Sequence, residues 1–590
     1  MVCTSAGREG YPVARITVML TTEGTYPFHL GGVSTWCDIL VHRVPQVSWV
    51  IYAVMMNPFV TQKYRLPPSV RRLIKVPLWG TEEPSEPLEE IPFSRVYDAK
   101  RRTDERVVRE HFLPLFRDVL EEILDGSPQP RRLGRALSEM YRYFREYDYH
   151  RTFKTRVVWE TFRKEVLRRA HGEEGRWPVP TLYDVTETLG WLYRFFIVLN
   201  IPLPEADVAH SAAAAFCGIP CVVAKQQMRI PYLLTEHGVY LREQYLSASK
   251  ALLSTYSKTF LLNLVRAVVR LNYEFADQIS PVCAYNTRWE RELGVRLDKI
   301  RVIYNGVDPD LYRPRPEVPA PSRPTVVTVA RIDPVKDILT LIRAAAVVRD
   351  TLPDVKFVVY GSVAVPSYYD ECLTLRHQLG LEDTVIFAGH TDDVPAAYQS
   401  GDVVCLSSLS EGFPYSVIEA MMSGKAIVAT DVGGVREALG DAGVVVRPQD
   451  PEGMAAALLR LLRDPGLRAT LGEEARQRAL NYFSVAQVVK SYLEAYLELY
   501  ERRAPVTVTP ARTRQRLHAQ RGYALAEIGA WKEAAEQFAL AVECDPSSPA
   551  APLLLAEVAR ALTELGQFDR AMLALEKAEA LAELLDREVA

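Results

Sequence analysis

The sequence predicts two doubly wound α/β domains in tandem, the first carrying a helical insertion and the second followed by a helical tail. Three observations predict this. Short β-branched runs alternate with helical stretches in both halves of the chain. A stretch rich in proline and arginine, Pro309 to Pro324, separates the two alternating regions. Near the end the β-branched runs stop and a helical motif recurs 37 residues apart.

The length of 590 residues has room for about three to four domains. Apolar residues make up 48% and charged residues 24%, which excludes a disordered chain, a collagen and a coiled-coil rod. A net charge of −4 gives no electrostatic case for a nucleic-acid partner. Of the eight cysteines only Cys217 and Cys221 stand close together, and no second Cys or His pair has metal-ligand spacing. Reduced, buried thiols in a cytoplasmic protein, with no metal, are expected. Apolar stretches such as Leu261 to Leu271 are broken by Arg266 and Arg270, too soon to span a bilayer. No signal peptide is expected, because the chain passes from Gly10 and Pro12 into a strand run, Ala14 to Leu20.

The first domain, residues 1–310, begins with a strand at Ile16–Leu20, a glycine-containing loop from Thr21 to Gly32, a helix from about Val33 and a strand at Val47–Met55. Between about residues 95 and 200 long helices rich in Arg and aromatics replace the alternation, including Phe153 to Arg169 and Leu182 to Leu199. Their basic surplus reads as a solvated helix face. Strands resume at Ala206–Ala209, Pro231–Thr235, Gln278–Ser280 and Arg301–Tyr304.

The second domain, residues 311–483, is regular. Its strands are Thr325–Ala330, Lys356–Tyr360, Thr384–Phe387, Val403–Leu406, Ala426–Ala429 and Val444–Val446, with helices between. Two such domains joined by a proline-rich hinge place the default ligand site in the cleft between them. Residues 484–512 form a helix and linker. In 513–590, Gly529-Ala-Trp-Lys-Glu-Ala-Ala535 and Gly566-Gln-Phe-Asp-Arg-Ala-Met572 each open a helix. They resemble tetratricopeptide repeats and equally fit a plain helical hairpin cap.

The chemistry concentrates in the segment from Ser410 to Thr430. Glu411 follows a strand, Gly412 and Pro414 keep the backbone irregular, and a helix starts near Tyr415 with Glu419 about one turn inside. A helix N-terminus after a glycine turn suits a phosphate. Two carboxylates there need hydroxyl partners: Glu411 a sugar, Glu419 a ribose diol. A sugar nucleotide satisfies all three. In Val329-Ala-Arg-Ile-Asp-Pro-Val-Lys-Asp337, Asp333 caps a helix opened by Pro334, which puts Lys336 in its first turn. The helix dipole disfavours a cation there unless an anion joins it. Arg331 and Lys336 can together neutralise a diphosphate in place of a metal ion. Gly31-Gly32 before the first helix allows close backbone approach, though the loop is not a dinucleotide fingerprint.

These elements, with Asn305-Gly-Val-Asp308 and Thr235-Glu-His-Gly-Val-Tyr240, resemble the retaining glycosyltransferases of family 4. Thr22-Glu-Gly-Thr-Tyr-Pro-Phe28 with Gly31-Gly32-Val33, and Leu234-Thr-Glu-His-Gly238, resemble more narrowly the PelF-type transferases of exopolysaccharide synthesis. The resemblance covers about residues 15 to 500. It implies a GT-B fold, metal-independent transfer with no cofactor, and a nucleotide-sugar donor, UDP-glucose or a UDP-N-acetylhexosamine. It implies that Arg331 and Lys336 hold the diphosphate, Glu411 the transferred sugar with backbone N–H groups near Gly412 and Phe413, and Glu419 the ribose. Gly31-Gly32 would close over the phosphates and His237 would line the acceptor side. The helix after Ser484 would cross back onto the first domain.

Gly361-Ser362 and Phe413-Pro414-Tyr415 depart from the Gly-Pro and Gln-Pro-Leu of the resemblance, which leaves the donor sugar open. The expected partners are a nucleotide sugar, a glycan acceptor and, through the helical tail, a membrane-embedded polysaccharide synthase complex. Two alternatives stand beside transfer: a sugar-nucleotide epimerase on the same fold, and a scaffold subunit of such a complex.

Overall fold

The computed structural model describes residues 16–44, 46–80, 92–125, 129–171, 177–315, 320–503 and 511–589. The expectation about a signal peptide falls on residues 1–15, outside the described residues, as do residues 316–319 of the proline-rich stretch and 504–510 of the linker. Two six-stranded, all-parallel sheets form the frame, so the fold class is the one the alternation predicts.

The first sheet comprises β1 (Ile16–Glu23), β2 (Val47–Met55), β3 (Val70–Pro77), β4 (Val208–Ser211), β5 (Tyr232–Glu236) and β6 (Gln278–Pro281), in the order β3-β2-β1-β4-β5-β6. The second comprises β7 (Thr325–Val329), β8 (Lys356–Tyr360), β9 (Val385–Gly389), β10 (Val403–Leu406), β11 (Ala426–Thr430) and β12 (Val444–Val446), in the order β12-β11-β10-β7-β8-β9.

Strand β2 is buried along its whole length, as expected of a strand covered on both faces. Its residues alternate between two cores. Val50, Tyr52 and Val54 face the helical insertion, and Trp49, Ile51 and Ala53 face the helix Gly32–Arg43 and the crossover helix Val485–Arg503. The insertion fills its core with Phe112, Phe116, Phe144 and Phe153, whose ring centroids lie 5.4–6.3 Å apart. It thus covers one face of the first sheet and leaves the carboxyl ends of the strands open.

Three elements differ from expectation. The sixth strand of the first sheet is β3 at one edge, not Arg301–Tyr304. Arg71, Arg72 and Lys75 of β3 are exposed, and an edge strand that carries charge in this way reads as a loop. Residues 301–304 run extended beside β6, with Arg301 and Ile303 donating to Ile279 and Pro281, but only one bridge forms. The expected helix Phe153 to Arg169 is split into Tyr149–Phe153 and Arg156–Ala170, each with its own N-cap residue, Asp148 and Thr155.

The tail consists of helices Ala511–Glu527, Trp531–Cys544, Ala551–Glu564 and Phe568–Val589. Gly529 and Gly566, 37 residues apart, both turn in the left-handed region, at φ 76° and 71°. Among the described residues no helix is long and apolar enough to cross a membrane, and the cysteines are free thiols.

Candidate active site

In a doubly wound sheet the crossovers leave a crevice at the carboxyl edge where the strand order reverses. That point lies between β1 and β4 in the first sheet and between β7 and β10 in the second. The carboxyl ends of β1, β4 and β7 line a cleft of about 870 Å³ between the domains, through Glu23, Ala212, Ala213, Ala330 and Arg331.

Two helices point their N-termini into this cleft. Gly32–Arg43 follows Gly31 and Tyr415–Met422 follows Pro414, and neither has a side-chain cap. Their first N–H groups and positive dipole ends are therefore free to meet an anion. The two termini come together: a Cβ on Gly32 would stand 3.4 Å from the Tyr415 ring. Nearby, a Cβ on Gly412 would strike the carbonyl oxygen of His237, so only glycine permits this backbone contact between domains. Asn305 Nδ2 donates to the Phe413 carbonyl at 3.0 Å and ties the interdomain segment to the same loop.

Lys336 Nζ donates to Glu411 Oε1 at 2.6 Å, and the two side chains are 19% and 10% exposed. This ion pair lies in the cleft wall. Lys336 does not sit in the first turn of a long helix. Pro334–Lys336 is a single 3₁₀ turn capped by the Asp333 carboxylate, and the helix Ile338–Thr351 starts one turn later behind Asp337 at φ 46°. Two consecutive capping aspartates, Asp333 and Asp337, divide what the sequence reads as one start. Ser407 Oγ donates to the Lys336 carbonyl and holds the turn against the end of β10. Arg331 is 62% exposed, 3.7 Å from the Asp333 carboxylate, on the same wall.

Gly31, Gly32 and His237 stand on the first domain's side of this cleft, and Arg331, Lys336, Glu411, Gly412 and Phe413 on the second's. The Phe413 ring is buried between Tyr304 and Phe483, each at 5.2 Å, and those two rings meet edge-on at 5.3 Å, which leaves its backbone as the group it offers. Glu419 is not among the cleft-lining residues. Tyr398 donates to its Oε2 at 2.9 Å and Tyr312 is a second hydroxyl partner, while burial pushes its carboxyl above the usual range. Two phenols thus hold the carboxylate expected to meet the ribose, and its remaining lone pairs can still accept from a diol. The sequence could not show this, because Tyr312 and Tyr398 are remote along the chain.

His237 packs edge-on against Trp36 at 4.6 Å, and its Nε2 is buried without a partner. Burial lowers its pKa to about 3, so it is neutral at physiological pH. Behind it His210, also lowered to about 3 by burial, bonds Tyr496 and Thr235, both at 2.8 Å.

Sequence reading passed over Glu23, Glu243 and Asn305 as site residues. Glu23 ends β1, accepts from the Cys217 N–H at 2.9 Å and the Tyr240 hydroxyl at 3.1 Å, and is pushed above the usual carboxylate range by burial. An acidic residue ending a strand run at a switch point was its only signal. Among the described residues no group of three or more His, Cys, Asp or Glu side chains could hold a metal ion.

Residues 16–298 match a domain of unknown function, DUF3492, and residues 314–478 match the family described as glycosyl transferases group 1. A D-inositol 3-phosphate glycosyltransferase of Salinispora arenicola is 36% identical over 226 residues, 34% of this chain and 50% of the relative. A phosphatidyl-myo-inositol mannosyltransferase of Mycolicibacterium smegmatis is 33% identical over 248 residues, 40% of this chain and 62% of the relative. The chain thus spans about half to three fifths of the length of these relatives. The solved structure of sucrose-phosphate synthase from Thermosynechococcus elongatus superposes with a TM-score of 0.53 at 18% identity, covering 83% of this chain and all of that one. That likeness shows the two-domain GT-B fold. Over residues 314–478 the chain is thus similar to the glycosyl transferases group 1 family.

Proposed function

We propose that the protein is a retaining glycosyltransferase that moves a hexose from a nucleoside diphosphate sugar to a glycan hydroxyl. One observation carries the reading: the Lys336–Glu411 pair lies in the wall of an interdomain cleft where two uncapped helix N-termini and Arg331 also converge. A diphosphate carries about two negative charges and has no better partner in the cleft than these groups. The relatives named as glycosyl- and mannosyltransferases support the transfer chemistry.

In this reading Lys336 and Arg331 hold the diphosphate and steady the charge that grows on its leaving oxygen. Glu411 accepts from hydroxyls of the transferred sugar, and the backbone of Gly412 and Phe413 orients it. The bond from the anomeric carbon to the phosphate oxygen breaks as the acceptor oxygen bonds to the same face of that carbon. The acceptor's proton passes to the leaving phosphate oxygen, so no separate base is required. His237, neutral and with an unpartnered ring nitrogen, lines the acceptor side. Metal is not needed, because two cations and two dipole ends meet the charge. The donor is UDP-glucose or a UDP-N-acetylhexosamine, and the polymer an exopolysaccharide, on the strength of the Thr22–Val33 and Leu234–Gly238 motifs.

Lys336→Ala and Glu411→Ala test this with a panel of UDP-sugars, scored by nucleotide release and sugar transfer. Each substitution is expected to lower the rate by about 10²–10³ with the melting transition retained. Transfer at near-full rate by Lys336→Ala refutes the diphosphate assignment. Activity that is abolished by a chelator and restored by a divalent ion refutes metal independence.

A further inference from the structure

A second chamber, about 440 Å³, opens from the cleft on the side of β5 and β6. This is within the range of small-molecule sites, roughly 300–1,000 Å³. Gly238, Glu243, Arg331, Lys336, Glu411 and Gly412 line both spaces, so the Lys336–Glu411 pair stands where they join. The far wall is built from the helix Tyr240–Lys250 and the segment 285–289 of the first domain.

That wall carries groups that nothing in the donor reading uses. Asn286 is 4% exposed, lines the chamber, and its Nδ2 has no hydrogen-bond partner. A buried amide donor left unpaired is unfavourable unless a ligand supplies an acceptor. Trp289 and Tyr285 provide aromatic surface, with the Arg288 guanidinium over Tyr285 at 3.9 Å. Glu243 lies so close to Gly238 that a Cβ on the glycine would strike its Oε1, and burial raises its pKa. The segment is braced from the second domain: the Glu437 carboxylate accepts from the N–H groups of Ala284 and Tyr285 at 2.7 and 3.0 Å. Arg242 spans the gap to Ser410 at 3.0 Å and closes one end. Cations and carboxylates of the lining nearly balance, which favours a neutral, polyhydroxylated ligand over a second nucleotide.

We infer that this chamber seats the terminal pyranose of the acceptor. The ring stacks on Trp289, and Asn286 and Glu243 hold its hydroxyls, with the reacting hydroxyl turned toward Glu411. The inference rests on the transferase reading, and one experiment separates the two. The full chain with UDP bound is titrated with methyl glycosides of glucose, galactose, mannose and N-acetylglucosamine, read by tryptophan fluorescence and by hydrogen exchange of residues 282–290. At least one glycoside is expected to saturate and to protect that segment. Trp289→Ala and Asn286→Ala should each raise its half-saturation about tenfold, Trp289→Phe should recover most of the loss, and UDP affinity in the same samples should stay within about twofold. Saturation unchanged in both variants, or no saturable response to any glycoside, overturns the inference. A glycoside response without UDP or UDP-sugar binding would instead retain the sugar chamber and remove the donor reading.

Discussion

His210 is enclosed on every side, by the hydroxyls of Tyr496 and Thr235 and the rings of Trp36 and Tyr492. Enclosure makes it refuse a proton until about pH 3, whereas the unfolded chain takes one up near pH 6.5. Above pH 6.5 both states are neutral at this site and it contributes no pH dependence. Below 6.5 the unfolded state binds the extra proton, so stability falls as pH falls, by about 1.4 kcal/mol per pH unit, until about pH 3. His237 acts in the same sense. Glu23, Glu243 and Glu419, raised by burial, bind protons more tightly in the folded state and oppose the loss. A difference measurement isolates the one residue. Urea unfolding of His210→Gln against the parent chain should show a slope of stability with pH that is shallower by about 1.4 kcal/mol per unit between about pH 4 and 5.5. Parallel slopes would mean His210 is protonated in the folded protein.

The crossover helix Val485–Arg503 decides how the two domains are joined. Val307 N–H donates to Phe483 and Val485 N–H to Val307, at 2.9 and 3.0 Å, a short bridge that turns the chain back to the first domain. The helix then buries Tyr492 and Tyr496 against Trp36, Trp49 and His210. These rings stand directly behind His237, so the helix supports the cleft without lining it. Tyr496→Ala should cost about 3–5 kcal/mol by analogy with other large buried aromatics, and Tyr496→Phe, which keeps the ring and loses the bond to His210, about 1 kcal/mol. Chemical denaturation of both variants checks this. Equal costs would place the helix's contribution in the hydroxyl rather than in the ring.

Across the whole molecule, the tail meets the crossover helix through the Lys490–Glu533 pair and through Ala524 and Ile528, away from the cleft. Deletion of residues 511–590 should therefore leave UDP-sugar turnover within about twofold of the full chain, since no cleft-lining residue is removed. Turnover that collapses in the truncated chain, with its fold intact by melting, would show that the tail shapes the site.

The local pattern of residues was enough to determine two doubly wound sheets, the second one nearly strand for strand, because β-branched runs buried on both faces leave a continuous apolar signature. It also pointed to Arg331, Lys336, Glu411 and the glycines as candidates, through cations after a strand end and glycine turns before a helix start, and these groups line one cleft. What surrounds those groups was decided only by tertiary structure. The partners of Glu419, the enclosure of His210 and His237, the split start before Ile338, the charged edge strand β3 and the side chamber at Asn286 all come from residues remote in sequence. Burial and hydrogen-bond partnership are properties of packing, and a linear chain does not record which distant side chain will fill the space beside it.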